Sequence, residues 1–75
     1  MKSVMHVLGT RGDNETQWDP KDAWSVSKAR EVFERYRKAG YLAFSVSEPG
    51  AEATHVRDFD PAAREIVVTR PLAGG

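Results

Sequence analysis

No cysteine occurs among the 75 residues. That absence removes disulfides, thiolate metal ligands and a cysteine nucleophile at once, and it suits a reducing, cytoplasmic setting. Neither sign of charge predominates. Eleven basic and 11 acidic residues give a formal net charge of +0, which speaks against a dedicated nucleic-acid or anionic-membrane binder. Long apolar runs are also missing: nothing approaches the roughly 18 residues of a membrane span. The segment Met1-Lys2-Ser3-Val4-Met5-His6-Val7-Leu8 lacks the length and cleavage pattern of a signal peptide. The two histidines, His6 and His55, are too far apart and too sparsely accompanied by other ligands to suggest a metal. His6, on an otherwise apolar stretch, reads as a histidine on a sheet face. No nucleophile–base pair, glycine-rich phosphate loop or paired carboxylate stands out, so neither a catalytic site nor a cofactor is expected. Arg11-Gly12-Asp13 spells an adhesive tripeptide, but Gly, Asp and the following Asn14 are what a hairpin turn requires.

What remains is a patterned chain near the lower size at which one core stabilises itself unaided. Val4–Leu8 is an almost continuous apolar run that predicts a central strand, and the polar Glu15–Asp19 predicts an edge strand returning beside it. Val26, Ala29, Val32, Phe33 and Tyr36 recur at helical spacing and predict a helix over 23–39. Asp22 or Ser25 can cap it, and Gly40 stands where a left-handed exit is needed. Tyr41–Ser47 alternates, with Leu42, Phe44 and Val46 on one face. His55–Phe59 reads as a polar edge strand, with Asp58 and Asp60 keeping Phe59 in a solvated setting. Glu65–Thr69 is the last strand, ended by Pro71, which has no amide proton to donate. Trp18 and Trp24 bracket the helix entry, and both are expected to close the end of the core.

The order is therefore ββαβββ, an α+β chain with one helix packed on a mixed sheet. Central strands are the apolar ones, so the first and last strands are expected to be parallel neighbours in mid-sheet. One helix covers one face only. The other face is expected to present Tyr41 and Ala43, together with one side-chain set of the last strand, such as Val67 with Thr69. Such a mildly apolar surface marks a partner-binding site.

This element order resembles that of ubiquitin and its relatives. So do the helix entry Asp19-Pro20-x-Asp22, the exit at Gly40 and the terminal Gly74-Gly75. The chain differs from the family in having only Arg70 as a base near the tail and in carrying Pro71 within it. The resemblance implies a β-grasp domain over residues 1–71 and a flexible Gly-Gly tail over 72–75. It also implies activation at the Gly75 carboxylate by an E1-like adenylating enzyme, with Gly74 beside it and Arg70, Leu72 and Ala73 read as the tail is recognised. An E2-like enzyme and a JAB-type peptidase are the further partners, and an isopeptide bond to a target protein is the product. The protein itself is then a substrate rather than an enzyme, and a monomer when free. Glycine fits that chemistry, because a Cβ on either terminal residue would obstruct a narrow channel leading to the ATP α-phosphate. Two other readings stand beside it: a sulfur carrier ending in a thiocarboxylate, and a non-covalent interaction module whose glycines are incidental.

Overall fold

Asp22 sets where the helix begins. Its carboxylate accepts a hydrogen bond from the Trp24 amide at 3.1 Å, satisfying a donor that the first turn leaves open. In the computed structural model, which describes residues 2–8, 14–48 and 50–70, helix α1 spans Ala23–Lys38. Its exit is a Schellman turn. The Gly40 amide donates to the Arg37 carbonyl and the Tyr41 amide to the Tyr36 carbonyl, each at 3.0 Å. Gly40 adopts φ +93°, a conformation that side-chain-bearing residues rarely take. Among the described residues no helix is long and apolar enough to cross a membrane.

Five strands accompany it among the described residues: β1 (Ser3–Leu8), β2 (Asn14–Trp18), β3 (Leu42–Val46), β4 (Thr54–Val56) and β5 (Glu65–Thr69). They form one mixed sheet in the order β2-β1-β5-β3-β4. β5 runs parallel to β1, from Val4 opposite Glu65 to Leu8 opposite Thr69. It runs antiparallel to β3, from Leu42 opposite Thr69 to Val46 opposite Glu65. The three strands richest in apolar residues, β1, β5 and β3, thus lie inside the sheet, where both edges are paired, and the polar β2 and short β4 form its rims. The expectation of parallel, adjacent terminal strands holds.

Alternation along the strands divides the sheet into two faces. Met5, Val7, Ala43, Ile66 and Val68 turn toward α1 and are buried with Ala29 and Phe33. Val26, Val32 and Tyr36 pack against this core, so the helical stripe is the one the sequence spacing predicts. Trp18 and Phe59 close the core, their ring centroids 5.0 Å apart, and Phe59 meets Phe33 at 5.6 Å. The Trp18 indole N–H donates to the Pro61 carbonyl at 3.0 Å, tying the start of the helix connection to the loop before β5.

Three expectations need correction. On β3 it is Ala43, 0% exposed, that faces the helix, while Leu42, Phe44 and Val46 lie half-buried on the other side. Bulky rings already fill the helix side near β3: Tyr41 packs on Tyr36 at a centroid distance of 5.0 Å, and Phe33 and Phe59 belong to the same core. A methyl group suits that side better than Phe44 would. Second, β4 stops at Val56, and Phe59 leaves the edge to enter the core despite its aspartate neighbours. Asp60 turns the chain there, its carboxylate accepting from the Ala62 amide at 2.9 Å. Third, only Trp18 is in the core; Trp24 is 70% exposed.

Candidate functional site

The face of the sheet turned away from α1 has no covering element among the described residues. Cross-strand pairing assembles it row by row. Glu15, His6, Val67, Phe44 and His55 follow one another across β2, β1, β5, β3 and β4. On one side of this row lie Gln17, Val4, Glu65 and Val46, and on the other Leu8, Thr69 and Leu42. The surface mixes half-buried aliphatic and aromatic side chains with carboxylates and imidazoles. Leu8 is 37% exposed.

His6 is the focus of the polar groups. Its Nδ1 lies 3.7 Å from a Glu15 carboxylate oxygen and its Nε2 lies 3.3 Å from one of Glu65. The two carboxylates approach from neighbouring strands on opposite sides of the ring. Farther along the row the His55 ring lies against Phe44, centroids 5.4 Å apart and planes inclined by 51°. Among the described residues no group of three or more His, Asp or Glu side chains is placed to hold a metal ion.

Of the four residues expected on this face, Val67 and Thr69 lie on it, in the set opposite the buried Ile66 and Val68. Tyr41 and Ala43 do not: Ala43 is in the core, and Tyr41 packs beside it on the helix side, where its carbonyl accepts from the Arg37 guanidinium at 2.6 Å. In their place the face carries Leu42 and Phe44, with Val4, Val46 and Leu8. It also carries the trio Glu15, His6 and Glu65, which sequence spacing alone does not bring together. One signal was available: Glu15 and Glu65 are the only acids in the five strands.

The second candidate region is the tail. β5 ends at Thr69, between Leu8 of β1 and Leu42 of β3, so the chain leaves the sheet from its middle and at the margin of the open face. Arg70 is exposed. Pro71, Leu72, Ala73, Gly74 and Gly75 lie outside the described residues, as does Arg11-Gly12-Asp13. Comparison with protein-family models, with curated proteins and with solved structures finds no match to this chain.

Proposed function

We propose that this chain is a ubiquitin-like modifier of β-grasp fold, activated at the Gly75 carboxylate and joined to a target amine. The observation that carries the reading is the position of β5. The strand leading into Gly74-Gly75 is central, runs parallel to β1, and releases the chain beside an uncovered sheet face while α1 covers the other. A folded body then precedes a reactive tail in the chain. An activating enzyme can hold the first while it works on the second.

The chemistry asks little of the protein itself. A Gly75 carboxylate oxygen attacks the α-phosphorus of ATP and expels pyrophosphate. A thiolate of the E1-like enzyme attacks the resulting acyl adenylate at its carbonyl carbon and releases AMP. After passage to an E2-like enzyme, a target lysine attacks the thioester, loses a proton and expels the thiolate, leaving an isopeptide bond that a JAB-type peptidase can hydrolyse. Leu72, Ala73 and Gly74 serve as the narrow lead, with Arg70 at the mouth of the channel. The donor is Gly75 whether or not residues follow it in the translated chain, since cleavage after Gly75 exposes the same carboxylate. These events belong to the cytoplasm, where ATP is abundant.

The test is ATP–pyrophosphate exchange with an E1-like adenylating enzyme from the same source. The chain ending at Gly75 supports exchange, and the chain lacking Gly75 loses it while keeping its folding stability. Equal exchange by both chains, or none by either, overturns the reading.

A further inference from the structure

With cysteine absent, His6 and His55 are the only side chains that ordinarily change charge near neutral pH. Both belong to the row that crosses the open face, but their surroundings differ. His55 rests on the Phe44 ring, and among the described residues it makes no ion pair. His6 stands between two carboxylates, Glu15 of β2 beside Nδ1 at 3.7 Å and Glu65 of β5 beside Nε2 at 3.3 Å. They take opposite nitrogens of one ring, so they flank it rather than converge on a point. The second Glu15 oxygen accepts from the Gln17 amide at 3.2 Å, which leaves Oε2 to the imidazole. Glu65 also borders a hollow lined by Lys2, Glu48 and Arg64. Directly opposite His6 on β5 is the uncharged Val67, and Arg57 and Arg70 follow the ends of β4 and β5.

A neutral imidazole has one N–H and one lone pair. It can donate toward one of the two carboxylates and must turn its lone pair to the other. The imidazolium has an N–H at each end and meets both. We propose that His6 is a pH-dependent clamp, whose two N–H groups hold β2 and β5 to β1 when the medium turns mildly acidic. The added proton makes charge-assisted contacts that exist only in the folded chain. The folded state then binds more protons than the unfolded state, so stability rises as pH falls through the imidazole range and is lost as pH rises through it. The gain ends near about pH 4, where the carboxylates themselves take up protons. Strand β2 depends on the clamp most, because it is an edge strand paired with β1 alone. The device belongs to the folded body and does not rest on activation of Gly75.

Amide hydrogen exchange of the whole chain tests it, at about pH 7.5 and about pH 5.5, on either side of the imidazole range. Rates are expressed as protection factors, which divide out the intrinsic pH dependence of exchange. Protection along the β1–β2 ladder rises about two- to tenfold on acidification, the scale of partly exposed ion pairs. His6→Gln, which keeps a neutral polar side chain at this position, loses the rise, and so does the isosteric E15Q/E65Q double variant. His55→Gln keeps it. In the unaltered chain added sodium chloride reduces the rise, because all three groups are partly open to screening ions. Protection that is flat or falls on acidification overturns the proposal. So does a rise that survives in His6→Gln or E15Q/E65Q, disappears in His55→Gln, or is indifferent to salt. The pH and salt comparisons use the unaltered chain, so they decide the matter even where a variant fails to fold.

Discussion

The two faces of the sheet are made by the same strands and have different duties. On the helix side, Met5, Val7, Ala43, Ile66 and Val68 are almost without exposure and share one core with Phe33 and Phe59. On the other side, Val4, Leu42, Phe44, Val46 and Val67 are comparably apolar yet remain half open. Hydrophobicity therefore does not decide which set is buried. Shape does: the side that receives a helix and two aromatic clusters needs small or flat partners, and Ala43 supplies one. On β3 the larger Leu42, Phe44 and Val46 are left on the open side, where they are available to something outside the chain.

The sharpest way to break this contrast is to remove Phe33, which joins α1 to the buried face. Phe33→Ala is expected to cost about 3–5 kcal/mol through lost transfer energy and a residual cavity. A domain of this size has little more than that to lose. Urea denaturation monitored by circular dichroism measures it, and a cost under about 1 kcal/mol means that Phe33 is not where the core is anchored.

Next in size is a comparison within one strand. Ile66 and Val67 are neighbours in β5, one on each face. Ile66→Ala should cost about 2–5 kcal/mol. Val67→Ala, half-exposed, should cost under about 1 kcal/mol, since only part of its area leaves water on folding. The two midpoints of chemical denaturation rank the faces directly, and equal costs would erase the distinction drawn between them.

A third, smaller effect concerns the geometry that brings α1 onto its face. Gly40→Ala meets no steric obstacle within 4 Å, so its cost is the positive φ alone. About 1–2 kcal/mol is expected from that strain. Thermal unfolding checks it, and an unchanged midpoint would show that the turn adapts without strain. The smallest effect contrasts the two tryptophans. Trp18 is 1% exposed and Trp24 is 70% exposed. Trp24→Phe should change stability by no more than about 0.5 kcal/mol. It should also leave a blue-shifted emission that iodide barely quenches, whereas red-shifted, readily quenched emission from that variant would place Trp18 in water.

Much of the fold was legible before the structure, for identifiable reasons. The parallel pairing of β1 with β5 could be inferred because each carries an unbroken or nearly unbroken apolar run (Val4-Met5-His6-Val7-Leu8 and Ile66-Val67-Val68), as interior strands do. The helix could be read from its stripe, its Asp22 cap and Gly40, since each satisfies a local requirement. What failed was anything decided by packing between elements. Alternation separates Ala43 from Phe44 but is symmetric about which one turns inward, and ranking by size chose the wrong set. Phe59 between aspartates reads as exposed because its place between Trp18 and Phe33 is a tertiary matter. The candidate site divides along the same line. On β5, Ile66, Val67 and Val68 are all apolar, so the sequence offers Val67 with Thr69 as one candidate set for the open face without deciding between the two sets. The meeting of Glu15, His6 and Glu65 depends on the registers of three strands, and sequence spacing does not supply a register.

The claim that this fold serves a reactive Gly75 has a direct signature in the sequence of β5 and its tail. Trypsin cleaves after Arg64 but not at the Arg70-Pro71 bond, so a target lysine joined to Gly75 retains the branch Glu-Ile-Val-Val-Thr-Arg-Pro-Leu-Ala-Gly-Gly after digestion. Mass spectrometry of tryptic peptides, from cells expressing the chain with its neighbouring genes, reads that branch. The account predicts lysine-containing peptides that carry this 65–75 remnant, and their loss when Gly75 is deleted. Recovery of the 65–75 peptide only in unbranched form, with a free carboxylate or a thiocarboxylate at Gly75, would contradict it.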